Sequence, residues 1–120
     1  MNKLLIVDDS YAARIFVAKM LDECKFDIYF AENGIEALAL IKTLQPHIML
    51  IDLLMPKMGG IEVLELLKAQ VDKPKVIVLS ADIQSSTKQK CLQLGAEIFL
   101  QKPVEKEELI QTINDLLNIG

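Results

Sequence analysis

The sequence predicts an α/β fold in which one five-stranded parallel sheet lies between two layers of helices, and two observations indicate it. Five short apolar runs alternate with segments of helical periodicity along the 120 residues. Such alternation implies right-handed crossovers between parallel strands, with helices on both faces of the sheet. The runs LLIV, IMLI and VIVL are almost continuously apolar, which is typical of strands that are buried on both faces.

The five apolar runs give the predicted strands in order. The second run, FDIYFA, alternates more than the others, so it is predicted to lie at an edge of the sheet. Five strands favour the flavodoxin-like order 2-1-3-4-5. A dinucleotide-binding fold is disfavoured because the turn after the first strand, VDDSYAAR, contains no glycine. The predicted strands cover residues 3–7, 27–31, 47–51, 75–79 and 97–100.

Each predicted helix is marked by a capping or breaking residue as well as by its apolar periodicity. Ser10 and Asn33 are good N-cap residues for the first and second helices. The third helix is predicted to begin at Gly59, and the fourth to end at Gly95, a residue type that suits the position after a helix. The fifth follows Pro103, and acidic residues in its first turn favour the positive end of the helix dipole.

Length and composition predict a single domain over residues 1–120 and exclude several classes of protein. Apolar residues make up 52% and charged residues 25% of the chain, which is typical of a globular domain. No apolar run approaches the ~20 residues of a membrane span, and LLIV is too short for a signal peptide, so a cytoplasmic protein without membrane contact is predicted. The net charge is −4 and the Lys and Arg residues are scattered, which argues against direct nucleic-acid binding. Cys24 and Cys91 are predicted to be buried free thiols.

Polar side chains follow four of the predicted strands at the points where those strands end. Asp8 and Asp9 come directly after the first strand, and Asp52 comes directly after the third. Ser80 follows the fourth strand and Lys102 comes just after the fifth. Ligands of open α/β sheets bind at the carboxyl ends of the strands where the strand order reverses, which here lies between the first and third strands. These side chains are therefore predicted to meet in one crevice.

The chemistry of this set favours a magnesium-assisted phosphoryl transfer. Three crowded carboxylates repel one another unless a cation lies among them, and hard oxygen ligands suit Mg²⁺, which often shares its ligand shell with phosphate. Zinc is disfavoured because neither cysteine nor His47 is near the cluster in sequence. Lys102 can pair with Asp52 and then with a phosphate oxygen, while Ser80 offers a hydroxyl. Asp52 is the predicted nucleophile, and its product is an aspartyl phosphate.

The motifs VDDS, IDLLMPKMGG, LSAD and FLQKP, in this order and spacing, resemble the receiver domain of two-component response regulators. The resemblance covers the whole chain and is to the stand-alone, chemotaxis-regulator type. The chemotaxis member of this family is itself a standard example of the order 2-1-3-4-5. The strand order expected from the five alternating strands and the order implied by the resemblance are therefore not independent predictions. The resemblance implies that a histidine kinase or a histidine phosphotransfer protein phosphorylates Asp52. It also implies that Asp9, Asp52 and the backbone carbonyl of Leu54 ligate Mg²⁺ directly, while Asp8 acts mainly through water.

The resemblance further implies how the phosphoryl group is sensed. Ser80 and Lys102 contact the phosphoryl group, and the peptide bond between Lys102 and Pro103 is cis. Phe99 occupies the aromatic switch position and rotates into the space that Ser80 leaves as it moves, a two-state repacking driven by a local change of charge. The face formed by the fourth helix, the fifth strand and the fifth helix then binds a downstream target protein. Phosphorylation-dependent homodimerisation stays open, as does the choice between a complete regulator and an excised receiver.

Two alternative classes fit the sequence less well. A magnesium-dependent phosphatase resembling the haloacid dehalogenase group needs a second Asp two residues after the nucleophile, where this chain has Leu54. A flavin or nucleotide binder needs a loop rich in Gly, Ser and Thr after the first strand, whereas Asp8 and Asp9 would repel a phosphate. A receiver that is never phosphorylated is disfavoured because all the key positions are filled. The chain is therefore predicted not to be an enzyme with a separate substrate, and to catalyse only its own phosphorylation and dephosphorylation.

The first helix is predicted to present an apolar pair to solvent. Tyr11, Ile15 and Ala18 lie opposite the stripe that faces the core. An exposed Tyr-Ile pair one helical turn apart, beside the acidic cluster, is predicted to be a docking patch for the helices of the phosphodonor. The stripe that faces the core consists of Ala13, Val17, Met20 and Cys24.

Overall fold

The computed structural model describes residues 1–82 and 84–118, and within them five strands alternate with five helices. Each end of each predicted strand lies within one residue of the end that is observed, and the element order is confirmed. The strands are β1 (Asn2–Val7), β2 (Phe26–Ala31), β3 (Ile48–Ile51), β4 (Lys75–Ser80) and β5 (Ile98–Gln101). The helices are α1 (Tyr11–Met20), α2 (Gly34–Leu44), α3 (Gly60–Leu67), α4 (Ser85–Gln93) and α5 (Lys106–Leu117).

All neighbouring strands of the sheet are parallel, and their order is β2-β1-β3-β4-β5. This confirms the predicted order and the edge position of β2. Val7 pairs with Ile51, so β1 and β3 end at the same level in the middle of the sheet. The helix that follows β1 and the helix that follows β3 lie on opposite faces of the sheet. The chain therefore leaves the ends of these two strands in opposite directions, and a crevice opens beyond their carboxyl ends.

Two apolar layers, one on each face of the sheet, form the core. Along β1, Leu5 and Val7 point into the layer beneath α2, α3 and α4, whereas Leu4 and Ile6 point into the layer beneath α1 and α5. This alternation follows from the two-residue period of a strand. It explains the continuous apolar run of β1, since both faces of the strand are buried.

The two cysteines lie on opposite sides of the sheet. Cys91 is buried in the layer beneath α2, α3 and α4, while Cys24 is only partly buried and packs against the other layer. Both thiols are free, as the sequence predicted, but Cys24 is less buried than expected. In the described part of the chain, no helix is long and apolar enough to cross a membrane.

The helix starts follow the predicted capping residues. The Ser10 hydroxyl accepts a hydrogen bond from the Ala13 N–H at 3.1 Å, and the Asn33 side chain accepts one from the Glu36 N–H at 3.0 Å. These bonds satisfy backbone donors that the first turn of a helix leaves without an intrahelical partner. The Ser10 cap matters for the site, because it fixes the point where the chain turns from β1 into α1.

His47 has a structural role at the opposite end of the sheet. Its Nδ1 accepts a hydrogen bond from the Lys3 N–H at 2.9 Å, and its own backbone N–H donates to the Lys3 carbonyl at 2.9 Å. The imidazole therefore continues the pairing of β1 and β3 beyond the amino-terminal end of β3. The third strand, predicted to begin at residue 47, thus begins one residue later at Ile48, with His47 bonded to β1 just before it.

Candidate functional site

Three carboxylates meet in the crevice beyond β1 and β3. Oxygen atoms of Asp8, Asp9 and Asp52 all lie within 4.8 Å of one another. Asp8 is buried, Asp52 is partly buried, and Asp9 is exposed at the mouth of the crevice. The structure thus brings together the three acidic residues that the sequence placed at the ends of these strands, because the strands end at one level.

An ammonium group lies against this acidic cluster. Lys102 Nζ is 2.8 Å from Asp8 Oδ2 and 3.5 Å from Asp52 Oδ2. The backbone N–H of Lys102 donates to the Ser80 carbonyl at 2.8 Å, which holds the segment after β5 against the end of β4. The peptide bond between Lys102 and Pro103 is cis, in agreement with what the resemblance implied.

Asp8 is fixed in place through both its carboxylate and its backbone carbonyl. Its Oδ1 accepts a hydrogen bond from the Ser10 N–H at 2.9 Å, and its backbone carbonyl accepts one from Arg14 Nη1 at 2.6 Å. The Arg14 guanidinium also lies over the Tyr11 ring, 5.7 Å from its centre. Nothing in the sequence pattern of α1 distinguishes Arg14 from an ordinary surface cation, so its contact with Asp8 was not predictable from the sequence.

Negative charge is in excess at this site. Burial raises the pKa of Asp52 above its usual value, against the lowering effect of Lys102, and the charge of Asp8 adds to the rise. Burial would lower the pKa of Lys102, but its hydrogen bond to Asp8 and the charges of Asp52 and Asp8 outweigh that effect and raise it. One ammonium therefore does not neutralise three carboxylates. Hard oxygen donors with surplus negative charge fit a divalent cation such as Mg²⁺.

Comparison with known proteins assigns this arrangement to a family. The sequence profile described as the response regulator receiver domain matches residues 4–114. This chain belongs to that family. Receiver domains of two-component response regulators accept a phosphoryl group on an aspartate and relay signals from histidine kinases or phosphotransfer proteins, and the family normally uses Mg²⁺ at an acidic pocket.

Individual relatives agree with this assignment. The chain is 33% identical over 115 residues to response regulator MprA of Mycobacterium sp. strain KMS, covering 96% of this chain and 50% of that protein. It is 30% identical over 116 residues to sporulation initiation phosphotransferase F of Bacillus subtilis strain 168, covering 97% of this chain and 94% of that protein. The chain thus spans about half the length of its mycobacterial relatives but nearly the whole of the Bacillus protein.

Solved receiver domains share the whole fold. The receiver domain of the Francisella response regulator 1452 superposes with a TM-score of 0.91 at 34% identity, covering 98% of each chain. The signal receiver domain of a putative Luxo repressor protein from Vibrio parahaemolyticus gives a TM-score of 0.93 at 27% identity, covering 98% of this chain and 90% of that one. The architecture derived above is therefore that of a receiver domain.

Ser80 and Leu54 flank the acidic cluster of this receiver domain. Ser80 is buried at the end of β4, and its hydroxyl accepts a hydrogen bond from the Asp82 N–H at 3.1 Å. Leu54 lies two residues beyond Asp52, and its side chain is 79% exposed. The N–H groups of Leu53 and Leu54 oppose the rise in the pKa of Asp52, so the backbone of Leu54 lies near that carboxylate. Ligation of a metal by the Leu54 carbonyl stays a prediction.

Phe99 lies between the core and the surface of the receiver. It is partly buried on β5, where it pairs with Val78, and it packs against the layer beneath α2, α3 and α4. It also lines a surface cavity of about 240 Å³ together with Ser85 and Lys88 of α4. This position leaves space on the α4 side of the ring. The rotation of Phe99 stays a prediction.

The exposed apolar side chains of α1 differ from those predicted. Tyr11 is 71% exposed as expected, but Ile15 and Ala18 are partly buried, and Ala18 packs against the core. Phe16, which the helical wheel did not place in the patch, is 58% exposed. The reason is that the buried side of the helix is wider than the predicted stripe and includes Ala18, which packs against the layer beneath α1 and α5. The predicted patch of Tyr11, Ile15 and Ala18 is therefore wrong in two of its three members.

Proposed function

We propose that this protein is a phosphorylation-controlled signalling switch in which Asp52 accepts the phosphoryl group. The observation that supports this role for Asp52 is that the carboxylates differ in how closely their oxygens are held by protein groups. Both oxygens of Asp8 already have close partners, the Ser10 N–H and Lys102 Nζ. Asp52 Oδ2 has only the longer contact of 3.5 Å to Lys102. Asp9 is exposed at the mouth of the crevice, whereas Asp52 is partly buried beside the Lys102 ammonium. Asp52 is therefore the carboxylate that combines a loosely held oxygen with a neighbouring cation that can receive the phosphoryl group.

The transfer joins one oxygen of Asp52 to phosphorus as the bond from phosphorus to the imidazole nitrogen of the donor breaks, and that nitrogen keeps the bonding pair. Positioning and neutralisation of charge supply most of the catalysis in such reactions. In this proposal Lys102, which lies 3.5 Å from Asp52, moves to a phosphoryl oxygen, and the Ser80 hydroxyl donates to another. A bound Mg²⁺ would neutralise charge on the phosphoryl oxygens.

The same contacts support a ligand set for Mg²⁺. Asp9 and Asp52, with the backbone carbonyl of Leu54, would hold the ion directly. Asp8 would act through water, because its two oxygens are engaged by protein groups. The switch acts on no separate substrate in this proposal and catalyses only its own phosphorylation and dephosphorylation. We place it in the cytoplasm, where its two free thiols stay reduced.

Removal of Mg²⁺ tests the metal requirement. With a small phosphodonor such as acetyl phosphate and Mg²⁺, we expect one phosphoryl group per chain by intact-protein mass spectrometry. With EDTA we expect the rate to fall at least about 100-fold, because an electrostatic stabiliser of the transferred group is removed. Mg²⁺ alone should also stabilise the fold, by about 2.7 kcal/mol at 100 times its dissociation constant. Asp9→Asn should lose most of that stabilisation. A rate that EDTA leaves unchanged would contradict the proposal.

The phosphorylated form is proposed to act by binding a target protein through the face formed by α4, β5 and α5. Support comes from the position of Phe99, which contacts both the core and the cavity beside α4. A ring in this position can transmit a change near Ser80 to the surface without a movement of the sheet. Homodimerisation through the same face after phosphorylation is a further outcome that size measurements with beryllofluoride, a phosphoryl mimic, would reveal.

The phosphodonor is proposed to dock on an apolar groove beside Lys102. Phe16 of α1 lies on one side of this groove of about 330 Å³, and Pro103 and Val104 lie on the other. Lys102 lines the same groove, so a protein that brings a phosphohistidine to Asp52 must pass over it. An apolar side chain from the helix that carries the histidine would fill the groove and orient the two proteins.

Phe16→Ala should therefore slow phosphoryl transfer from a phosphohistidine protein about tenfold to thirtyfold, the loss expected for an aromatic anchor of an interface. The rate with a small phosphodonor should stay the same, because the acidic cluster is untouched. Leu66→Ala is the matched control, since Leu66 is also exposed but lies on α3. Equal losses with protein and small donors, measured by mass spectrometry over time, would rule out docking at Phe16.

A further inference from the structure

Helix α4 is the least firmly packed helix near the site. Its sequence, SSTKQKCLQ, is largely polar, and Cys91 is its one buried residue, whereas α3 buries four residues in a shorter helix. Its N-cap residue, Gln84, makes no capping hydrogen bond with its side chain. Apolar packing therefore holds α4 less firmly than α3, and polar contacts at its start have a larger share in fixing its position.

Asp82 supplies those polar contacts. Its Oδ1 accepts a hydrogen bond from the Gln84 N–H at 2.8 Å, and its Oδ2 accepts one from the Thr87 hydroxyl at 2.9 Å. The carboxylate therefore both caps the start of α4 and holds a side chain from its first turn. We call the hydrogen bond between the Asp82 carboxylate and the Thr87 hydroxyl the latch.

The latch is tied to the phosphorylation site through the backbone. The N–H of Asp82 donates to the Ser80 hydroxyl at 3.1 Å. A continuous path of hydrogen bonds therefore runs from Ser80 to Asp82 and on to Thr87 in α4. The backbone N–H that bonds to Ser80 and the carboxylate that bonds to Thr87 belong to the same residue, Asp82.

Asp82 also stands between two surface cavities. One cavity, of about 280 Å³, is lined by Leu54 and Ser80 on the side of the acidic cluster. The other, of about 240 Å³, is lined by Phe99 and Lys88 on the side of the proposed target-binding face. Asp82 lines both cavities. A movement of Asp82 would therefore change the lining of both cavities, the one near Ser80 and the one near Phe99.

We propose that the latch holds α4 in the unphosphorylated position and opens when Asp52 is phosphorylated, which makes Asp82 a positioning residue of the switch. The inference rests on the proposed function, because it needs Ser80 to turn toward the phosphoryl group. That turn removes the acceptor of the Asp82 N–H, and the added negative charge repels the Asp82 carboxylate. Once the hydrogen bond to Thr87 breaks, the weakly packed α4 is free to shift.

A latch that exists only in the unphosphorylated state must oppose phosphorylation. By linkage, an interaction that stabilises one conformation lowers the affinity for every ligand that binds the other conformation more tightly. A variant without the latch should therefore bind a phosphoryl mimic more tightly than the natural protein does. An interaction that merely stabilises the fold would have no such effect, so affinity for the mimic separates the two roles.

The test compares Thr87→Val, which removes the hydroxyl and keeps the shape, with Thr87→Ser, which keeps the hydroxyl. For Thr87→Val we expect beryllofluoride with Mg²⁺ to bind about fivefold more tightly. Amide hydrogen exchange in α4 should be about tenfold faster before beryllofluoride is added. Thr87→Ser should match the natural protein in both measurements. Asp82→Asn gives a second variant, because an amide has one accepting oxygen where the carboxylate has two, so the Gln84 N–H and the Thr87 hydroxyl cannot both donate to it. Tighter binding of beryllofluoride is again expected.

The outcomes separate the latch from the proposed function. The latch is overturned if Thr87→Val binds beryllofluoride no more tightly than the natural protein and exchanges its α4 amides at the same rate. The proposed function fails instead if the natural protein does not respond to beryllofluoride at any Mg²⁺ concentration. Urea unfolding of Thr87→Val and Thr87→Ser verifies that they are folded, and similar midpoints are expected since Thr87 is only partly buried.

Discussion

Asp52→Asn is expected to abolish covalent phosphorylation by small phosphodonors and phosphohistidine proteins alike, a loss of at least about 10³-fold in rate. An amide cannot act as the nucleophile, while its size leaves the crevice intact. Intact-protein mass spectrometry after incubation with each donor measures the loss. Asp9→Asn is the matched control, because it removes a carboxylate from the same cluster but leaves the acceptor. Its phosphorylation should recover at high Mg²⁺ concentration. A phosphoryl group on the Asp52→Asn variant would show that another residue is the acceptor.

The same variant should change how stability depends on pH. Because the pKa of Asp52 is raised from 3.8 in the folded chain, the folded state binds this proton more tightly than the unfolded state does. Stability is therefore lost as the pH rises from 3.8 through the folded pKa. The Asp52→Asn variant does not lose this stability. The difference between its free energy of unfolding and that of the natural protein should therefore increase as the pH rises through that interval and stay constant at higher pH. Urea denaturation in metal-free buffer across the weakly acidic range measures the difference.

Lys102→Met is expected to slow phosphorylation by a small donor about 100-fold to 1,000-fold, the usual effect of removing an electrostatic group that stabilises a transition state. The variant keeps most of the side chain's length but removes the charge that lies 2.8 Å from Asp8 and 3.5 Å from Asp52. Mg²⁺ should bind more tightly to it, since three carboxylates then lack their protein cation. Phosphorylation kinetics and Mg²⁺ titration followed by thermal unfolding measure the two effects.

Stability gives a further readout for Lys102. Its pKa is raised in the folded chain from 10.5, so its contribution to stability is fully present below that pH and is lost only as the pH rises through the folded pKa. At neutral pH the Lys102→Met variant should therefore be less stable by about 1–2 kcal/mol, a value reduced for the partial exposure of the pair.

Lys106→Met is the matched control for Lys102. Lys106 lies 3.8 Å from Glu23 in an ion pair whose side chains are both exposed, and such pairs contribute little. Its loss should leave phosphorylation, Mg²⁺ affinity and stability close to those of the natural protein. If Lys102→Met instead behaves like this control, Lys102 takes no part in the site.

The fold and the acidic cluster were predictable because the residues that define them act locally. A strand buried on both faces must be apolar throughout, so β1, β3 and β4 stand out in the sequence, and the first polar residue after each run marks its end. Parallel strands in a known order then bring Asp8, Asp9 and Asp52 to one edge without any knowledge of side-chain contacts. The Ser10 and Asn33 caps have the same local character.

The interactions that the sequence did not reveal depend on how elements pack. The exposure of Phe16 depends on how α1 is rotated on the sheet, which a helical wheel with an assumed core face does not give. The hydrogen bond from Arg14 to the Asp8 carbonyl and the bond between Thr87 and Asp82 join residues whose side-chain directions are set by tertiary structure. Local patterns of charge contain no signal for either bond.

The sheet separates two layers of side chains that share no residue, one beneath α1 and α5 and the other beneath α2, α3 and α4. The groove beside Phe16 belongs to the first layer, while Asp82 and Thr87 act on a helix of the second. Substitutions that alter which upstream protein is recognised can therefore accumulate on α1 without repacking the region under α4. In a lineage of duplicated genes, donor recognition on α1 and the contacts that position α4 could diverge separately around one unchanged acidic edge.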